Sequence, residues 1–254
     1  MKIAIWNVNS IKTRLEHVKR FLGDSGADIL MIQELKGLEF PEDAFKEVGY
    51  QSQAVTQKAY NGVAILSKKP VKVIHDKLPG DKKDEQARYL EVEQDGMRFI
   101  NIYLPNGNPV DTEKFDYKLA WMDRLIVRLT DLTKDNIPFA IGGDFNVIPE
   151  NKDCHDPKRW KDDALFRIES RKRFRAMLNL GLTDAFRVFD TRAENYTFWD
   201  YQAGAWQKNH GIRIDHFLLS PTIADRLQSC TIDAKPRDWD KPSDHTPVIL
   251  ELAA

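Results

Sequence analysis

Apolar residues along this chain fall into short runs and helical stripes that alternate from the N-terminus onward. "IAIWNV" opens as a β-rich apolar run, and "TRLEHVKRFLGDSG" follows with Leu15, Val18 and Leu22 on one helical face. A Thr13-x-x-Glu16 capping pattern marks the start of that helix, and glycines mark its end. "ADILMIQE" is too continuously apolar for a half-exposed strand; it predicts a buried strand that ends at Glu34. Further strands are predicted at "YQSQAV", "GVAILS" and "VKVIHDKL", and "ARYLEVEQDGMRFINIYLP" predicts a hairpin turning at Asp95-Gly96. Leu119, Met122, Leu125, Leu129 and Leu132 recur at helical spacing, which predicts a long helix over 113–134. "PFAIGGDFNVIPE" then begins as a strand, and a second helix is predicted over 163–180, stopped at Gly181. The remainder reads mostly as strand: "YTFWDYQ", "RIDHFLLS", "CTIDAK" and "TPVILELA". With no linker or low-complexity tract, this mixture favours one α/β domain over 1–254, its helices packed outside sheets.

The polar residues that interrupt the runs gather at strand ends. Asn7, Glu34, Tyr103, Asp144 and Asn146 close apolar runs, "GIRIDHFLLS" carries Asp215, and "SDHTPV" offers Asp244 and His245. Singly, each reads as a solvated strand end or a turn cap, and Gly142-Gly143 as a tight exit from a sheet. Together they carry more, because strands of one sheet can bring their ends to a common rim. In an extended segment Asp144 and Asn146 point to the same side, as do Asn7 and Asn9. Oxygen ligands without a Cys pair or His-rich spacing suit Mg²⁺ or Mn²⁺ better than Zn²⁺. One histidine among carboxylates would serve as a base or as a donor to a developing oxyanion, its pKa raised by a neighbouring carboxylate. These parts fit metal-assisted hydrolysis of a phosphate ester.

Composition narrows the setting. With 38 basic against 39 acidic residues in 254, bulk charge cannot coat nucleic acid, and any phosphate contact must use a local basic face. The best such patch is "RKRFR", with Arg171, Lys172, Arg173 and Arg175, preceded by Lys158, Arg159 and Lys161; its bland alternative is a solvated helix face. Arg88 is a further candidate for phosphate contact, and "KDCHDP" reads as a loop rather than a metal cluster. The opening "MKIAIWNVNS" does not resemble a signal peptide, and no window approaches the ~18 apolar residues of a membrane span. Cys154 and Cys230 stand far apart in no redox or metal motif, so the expectation is a cytoplasmic protein without a membrane partner.

The motifs "WNVNS" (6–10), "IQELK" (32–36), "NGVAILS" (61–67), "NIYLPNG" (101–107), "GGDFNVIP" (142–149), "TFWDY" (197–201), "RIDHFLLS" (213–220) and "SDHTPV" (243–248) follow one another in order over nearly the whole chain. In these the chain resembles the exonuclease III family of apurinic/apyrimidinic endonucleases, within the wider endonuclease/exonuclease/phosphatase superfamily. The resemblance implies a four-layer αββα sandwich, two packed mixed β-sheets flanked by helices, with the site at one rim. It implies Glu34 as the main Mg²⁺ ligand with Asn7 beside it, and Asp244 at a second metal or the leaving oxygen. Asp144 would orient or deprotonate the attacking water, and Asn146 would hold that water or a phosphate oxygen. His245, paired with Asp215, and Tyr103 would contact the scissile phosphate, with Asn106 in the same loop. Whether His245 or Asp144 is the base stays open at this stage.

The implied substrate is double-stranded DNA with abasic sites or 3′ ends, cut 5′ to the lesion or trimmed from the 3′ end by a monomeric enzyme. Phe198 would wall a pocket for a flipped, baseless sugar, with Trp206 and Trp199 on the same surface. Ile212 stands where some family members have Trp, which makes this pocket less aromatic, and Lys36 and Arg213 are divided between substrate contact and support. Two other readings compete: a phosphoesterase of inositol phosphates or lipids, and a binding module that has lost catalysis. Tyr103, where the secreted deoxyribonuclease branch carries His, together with Phe198 and the "WDYQ" loop, weighs against the first. The filled catalytic positions weigh against the second.

Overall fold

The computed structural model describes residues 1–253, and in it the apolar runs become strands covered on both faces, which is why they do not alternate in sequence. In chain order the elements are β1 (Lys2–Asn7), α1 (Ile11–Ser25), β2 (Ile29–Gln33), α2 (Glu42–Lys46), β3 (Gln51–Val55), β4 (Val63–Ser67), β5 (Lys72–His75), β6 (Tyr89–Gln94), β7 (Met97–Tyr103), α3 (Glu113–Lys134), β8 (Phe139–Asp144), α4 (Pro157–Trp160), α5 (Ile168–Leu178), β9 (Thr183–Asp184), α6 (Ala185–Phe189), β10 (Asp215–Leu219), α7 (Pro221–Ala224), β11 (Leu227–Ile232) and β12 (Val248–Leu252). Two six-stranded mixed sheets result, ordered β11-β12-β1-β2-β4-β3 and β5-β6-β7-β8-β10-β9. Parallel pairing joins β1 to β2 and β7 to β8.

Strand parity sorts the core into layers. Ile3, Ile5, Met31, Ile65, Val92, Phe99, Ala140 and Phe217 fill the space between the sheets. The opposite parity of β1 and β2, with Ala4, Trp6, Leu30 and Ile32, packs against Val18, Phe21 and Leu22 of α1. On the far side Ile100, Ile102, Ile141 and Leu218 pack against Trp121, Met122, Leu125 and Leu129 of α3 and Phe174 and Met177 of α5. The architecture is the αββα sandwich. No helix among the described residues is long and apolar enough to cross a membrane.

The glycine pair on β8 is what lets the layers close. A Cβ on Gly142 would stand 2.7 Å from the Phe217 ring and 2.8 Å from Ile5 of the facing sheet. At Gly143, where φ is +136°, it would stand 2.1 Å from the Ile102 carbonyl oxygen. Backbone cannot yield as a side-chain tip can, so Gly143→Ala is expected to cost about 3 kcal/mol or more. Chemical denaturation followed by circular dichroism checks this; an unchanged midpoint would contradict it.

Several local expectations are corrected. α1 begins at Ile11, capped by Ser10, whose Oγ accepts from the Thr13 N–H, so Thr13 lies inside the first turn and caps nothing. The helix expected over 163–180 is shortened to Ile168–Leu178, because the Asp163 side chain bonds the Leu165 N–H and holds that stretch in a turn. "YTFWDYQ" is no strand; only Phe198 pairs, in isolated bridges to Ile212 and His245. Asn146 is not in extended chain after Asp144, since its φ is +47° and the backbone turns there.

Candidate active site

At one rim the inward parity of the strands runs on into polar residues. Asn7 continues the face of Ile3 and Ile5, Tyr103 that of Phe99, Asp144 that of Ala140, and Asp215 leads into Phe217 and Leu219. Register completes the gathering: Tyr103 and Asp215 flank Asp144 on either side of β8, and Asn7 lies opposite Gln33, the residue before Glu34. Glu34 leaves β2 in the left-handed region at φ +57°, and Asn146, two residues past β8, is left-handed at +47°. Such backbone persists only where its surroundings hold it.

The contacts here are dense. Asn7 Nδ2 donates to Glu34 Oε1 at 2.8 Å and to Asp144 Oδ2 at 3.0 Å, and its Oδ1 accepts from the Asn9 N–H. His245 Nδ1 lies 2.9 Å from Asp215 Oδ2, which also accepts from Thr197 Oγ1 at 2.6 Å. His245 Nε2 is 3.8 Å from Asp144 Oδ2, and the Phe198 ring stands edge-on to the imidazole at 5.0 Å. Asp144 Oδ1 accepts from the Asn146 N–H at 2.8 Å, and Asn106 Nδ2 donates to Asn146 Oδ1 at 3.2 Å.

Burial and charge compete at each titratable group. Burial alone would lower His245, but the charge and hydrogen bond of Asp215, then Asp144, raise it to about 10. Burial raises Asp144, against the pull of His245, with Asp215 and Glu34 adding to the rise. Burial also pushes Glu34 upward, yet Lys36, whose Nζ is 2.7 Å from Oε2, and then His245 outweigh it and leave the carboxyl below its usual value. Asp215→Asn removes the charge that outweighs burial, so in the metal-free protein the His245 titration followed by NMR should fall to about 6.5 or below. The pair's contribution to stability is full below the ordinary imidazole range and is lost as pH rises through about 10. That alkaline loss should vanish in the variant, and an unmoved titration would contradict the assignment.

Glu34, Asp144 and His245 each offer a ligand atom within 4.8 Å of the others, the one such group among the described residues. Because Nδ1 is taken by Asp215, the imidazole has only Nε2 to offer, and the set is dominated by carboxylate oxygen. It fits a hard divalent cation that keeps positions for water and phosphate. Two further residues expected at the metal are placed beside this group rather than in it. Asn7 turns its amide N–H groups to both carboxylates and acts as a donor. Asp244 lies outside the group, its Oδ1 accepting from Asn9 Nδ2 at 3.0 Å.

Beside the cluster Phe198 and Ile212 line a cavity of about 270 Å³, together with His155, Trp160 and His210. Trp206 is not among its walls: the indole stands edge-on to Trp199, and its N–H bonds Asp238. Arg213 cannot meet a substrate, because it is fully buried in ion pairs with Asp153 at 2.7 Å and Asp184 at 2.9 Å. Lys36 reaches the rim through Glu34 and Asn9, and Arg88 lies over the Tyr103 ring. Arg173 of the basic patch is engaged with Asp123, and Arg171 bonds the Pro149 carbonyl. Within "KDCHDP", Asp153 serves the buried ion pairs while His155 stacks on His210, so the stretch binds no common centre.

Sequence reasoning passed over Thr197, which supports Asp215, and Ser243, whose Oγ bonds the Asn7 carbonyl and accepts from the His245 N–H. Each is the first residue of a motif already singled out, "TFWDY" and "SDHTPV", and that position is the available signal. It also passed over Lys118, a polar residue in an apolar helical stripe.

Comparison with known proteins places this geometry. The model of the Endonuclease/Exonuclease/phosphatase family matches residues 4–245. The chain is 31% identical to exodeoxyribonuclease III of Haemophilus influenzae over 99% of its own length and 100% of that protein's. It superposes with a TM-score of 0.97 on the 3′ phosphatase NExo from Neisseria bound to a product DNA hairpin, at 38% identity and over 100% of both chains. An AP endonuclease from Archaeoglobus fulgidus superposes with a TM-score of 0.95, at 37% identity and again over 100% of both chains.

Proposed function

The chain belongs to the endonuclease/exonuclease/phosphatase family, and from that premise we propose that it is a Mg²⁺-dependent DNA-repair nuclease. It hydrolyses phosphodiesters 5′ to abasic sites, degrades DNA from 3′ ends and removes blocking groups there, with Mn²⁺ able to replace Mg²⁺. The observation that carries this reading is the convergence of Glu34, Asp144 and His245 beside the apolar wall of Phe198 and Ile212. The activities named for its relatives, on 3′ ends and at abasic sites, share one chemistry, the hydrolysis of a phosphate ester.

Glu34 would hold the cation, with Asp144 and His245 in reach, and when bound the ion would supply positive charge that stabilises a phosphate under attack. The chain's own groups do the rest. Asp144, raised by burial, takes the proton of the attacking water at its carboxylate as the new P–O bond forms and the bond to the leaving oxygen breaks, and that oxygen is protonated from solvent. His245 is kept protonated by Asp215 and donates from Nε2 to a phosphate oxygen as negative charge builds there, so Asp144 and not His245 is the base. Burial, then Glu34 and Asp144, holds the Tyr103 hydroxyl in its protonated form, ready to donate to the phosphate. Asn106 and Asn146, bonded to each other, present amides to the water and to a phosphate oxygen. A panel of a 3′-phosphorylated duplex, an intact duplex and an inositol polyphosphate separates the substrate classes. Mg²⁺-dependent turnover of the DNA is expected, and release of phosphate from the inositol compound alone would overturn the assignment.

A further inference from the structure

Under the loops that carry Asn106 and Asn146 lies a lysine whose hydrogen-bond acceptors are both backbone carbonyls. Lys118, on α3, is fully buried, and its Nζ donates to the Asn106 carbonyl at 2.9 Å and the Asn146 carbonyl at 2.6 Å. It stands in the stripe of Phe115, Met122, Leu125, Leu129 and Leu132, where every other residue packs as a hydrocarbon. Burying an ammonium is costly, and an apolar side chain would fill the same space without that cost, so packing does not account for a lysine here. Burial lowers it to about 7, with Asp144 and then Asp163 pulling the other way.

The loops rest directly on its stem: a Cβ on Gly107 would stand 2.5 Å from Lys118 Cδ. Above, Asn106 Nδ2 bonds Asn146 Oδ1, Asn146 Nδ2 bonds the Leu104 carbonyl, and the Asn146 N–H bonds Asp144 Oδ1. Asn146 holds its left-handed backbone at φ +47° between these bonds and the lysine below. We propose that Lys118 is a positioning residue for hydrolysis at this rim, gripping the Asn106 and Asn146 carbonyls from beneath so that the bond from the Asn146 N–H aims the Asp144 carboxylate. This rests on the hydrolytic reading of the rim.

Lys118→Met keeps the stem and removes the ammonium. Relative to wild type it is expected to lose about a hundredfold in kcat on 3′-phosphorylated duplex, with KM within about threefold and thermal stability retained. The amide resonances of Gly107 and Val147, which follow the two gripped carbonyls, should shift or broaden whether or not the rim turns over DNA. Wild-type turnover in the same assay reports on the hydrolytic reading, while the resonances and the variant-to-wild-type ratio report on Lys118. If Lys118→Met does not fold, Lys118→Ala decides: n-propylamine replaces the atoms removed and should restore turnover, while n-propanol should not. Unmoved resonances, wild-type kcat in Lys118→Met, or equal rescue by amine and alcohol would overturn the proposal.

Discussion

Asp144→Asn is expected to lower single-turnover cleavage by about 10⁴-fold while leaving DNA affinity within a few-fold. The carboxylate has two tasks, and the substitution separates them. Oδ1 accepts from the Asn146 N–H, and a carboxamide oxygen can continue that bond. Oδ2 faces Asn7 Nδ2 at 3.0 Å and His245 Nε2 at 3.8 Å, and there an amide would offer donors where the proposed chemistry requires a proton acceptor. Losing the Asp144 charge relieves a cost of burial beside other carboxylates but forfeits the bond from Asn7 Nδ2 and the pairing with His245, so the two effects offset and the variant should still fold. The ground-state phosphate makes no demand on that charge, so binding measured by fluorescence anisotropy should survive. Retained turnover would remove Asp144 from the chemistry; lost binding would make it a substrate contact instead.

Glu34→Gln should act through the cation. Glutamine can still accept from Asn7 Nδ2, as Glu34 Oε1 does at 2.8 Å, so the rim keeps its frame. What goes is the negative charge, which Lys36 and His245 already hold in its ionised form. Apparent affinity for Mn²⁺ in calorimetric titration is expected to weaken about a hundredfold, and turnover at low metal should fall with it. Raising the metal concentration should recover part of that turnover, which would not happen if Glu34 served only to brace Asn7. An unchanged metal titration would move the cation elsewhere.

Much of this was legible in the chain because strands buried on both faces write themselves as unbroken apolar runs. The stripe over 113–134 became α3 at those bounds for the same kind of reason: a helix under one face of a sheet needs a single apolar stripe. The polar ends of the runs also pointed to one rim. What the residues alone did not specify was that Asn7, Tyr103, Asp144 and Asp215 share the inward parity of two different sheets, since pairing between strands is a long-range property. The choice of two sheets over one came from the resemblance.

Arg213 shows the limit most clearly. Two residues before Asp215 it invites a reading as a substrate contact, yet its partners Asp153 and Asp184 lie 60 and 29 positions away and carry no local signal. Ser10 outcompeted Thr13 as the cap because Asn9 and Ser10 turn with positive φ, at 46° and 94°, which propensity rules do not foresee. Lys118 was readable in principle, as the one charge at the spacing of Met122, Leu125 and Leu129, but only the loops above it give that charge a task.

Everything proposed for this chain turns on metal-dependent hydrolysis of DNA phosphate esters at the rim of Glu34, Asp144 and His245. One labelled duplex bearing an abasic-site analogue and a 3′-phosphate tests it most directly, incubated with wild type in Mg²⁺ or chelator and with Asp144→Asn. A Mg²⁺-dependent nick immediately 5′ to the lesion and release of the terminal phosphate are expected, both absent in chelator and in the variant. A duplex left whole by wild type in Mg²⁺ and Mn²⁺, or cut equally well in chelator, would contradict it.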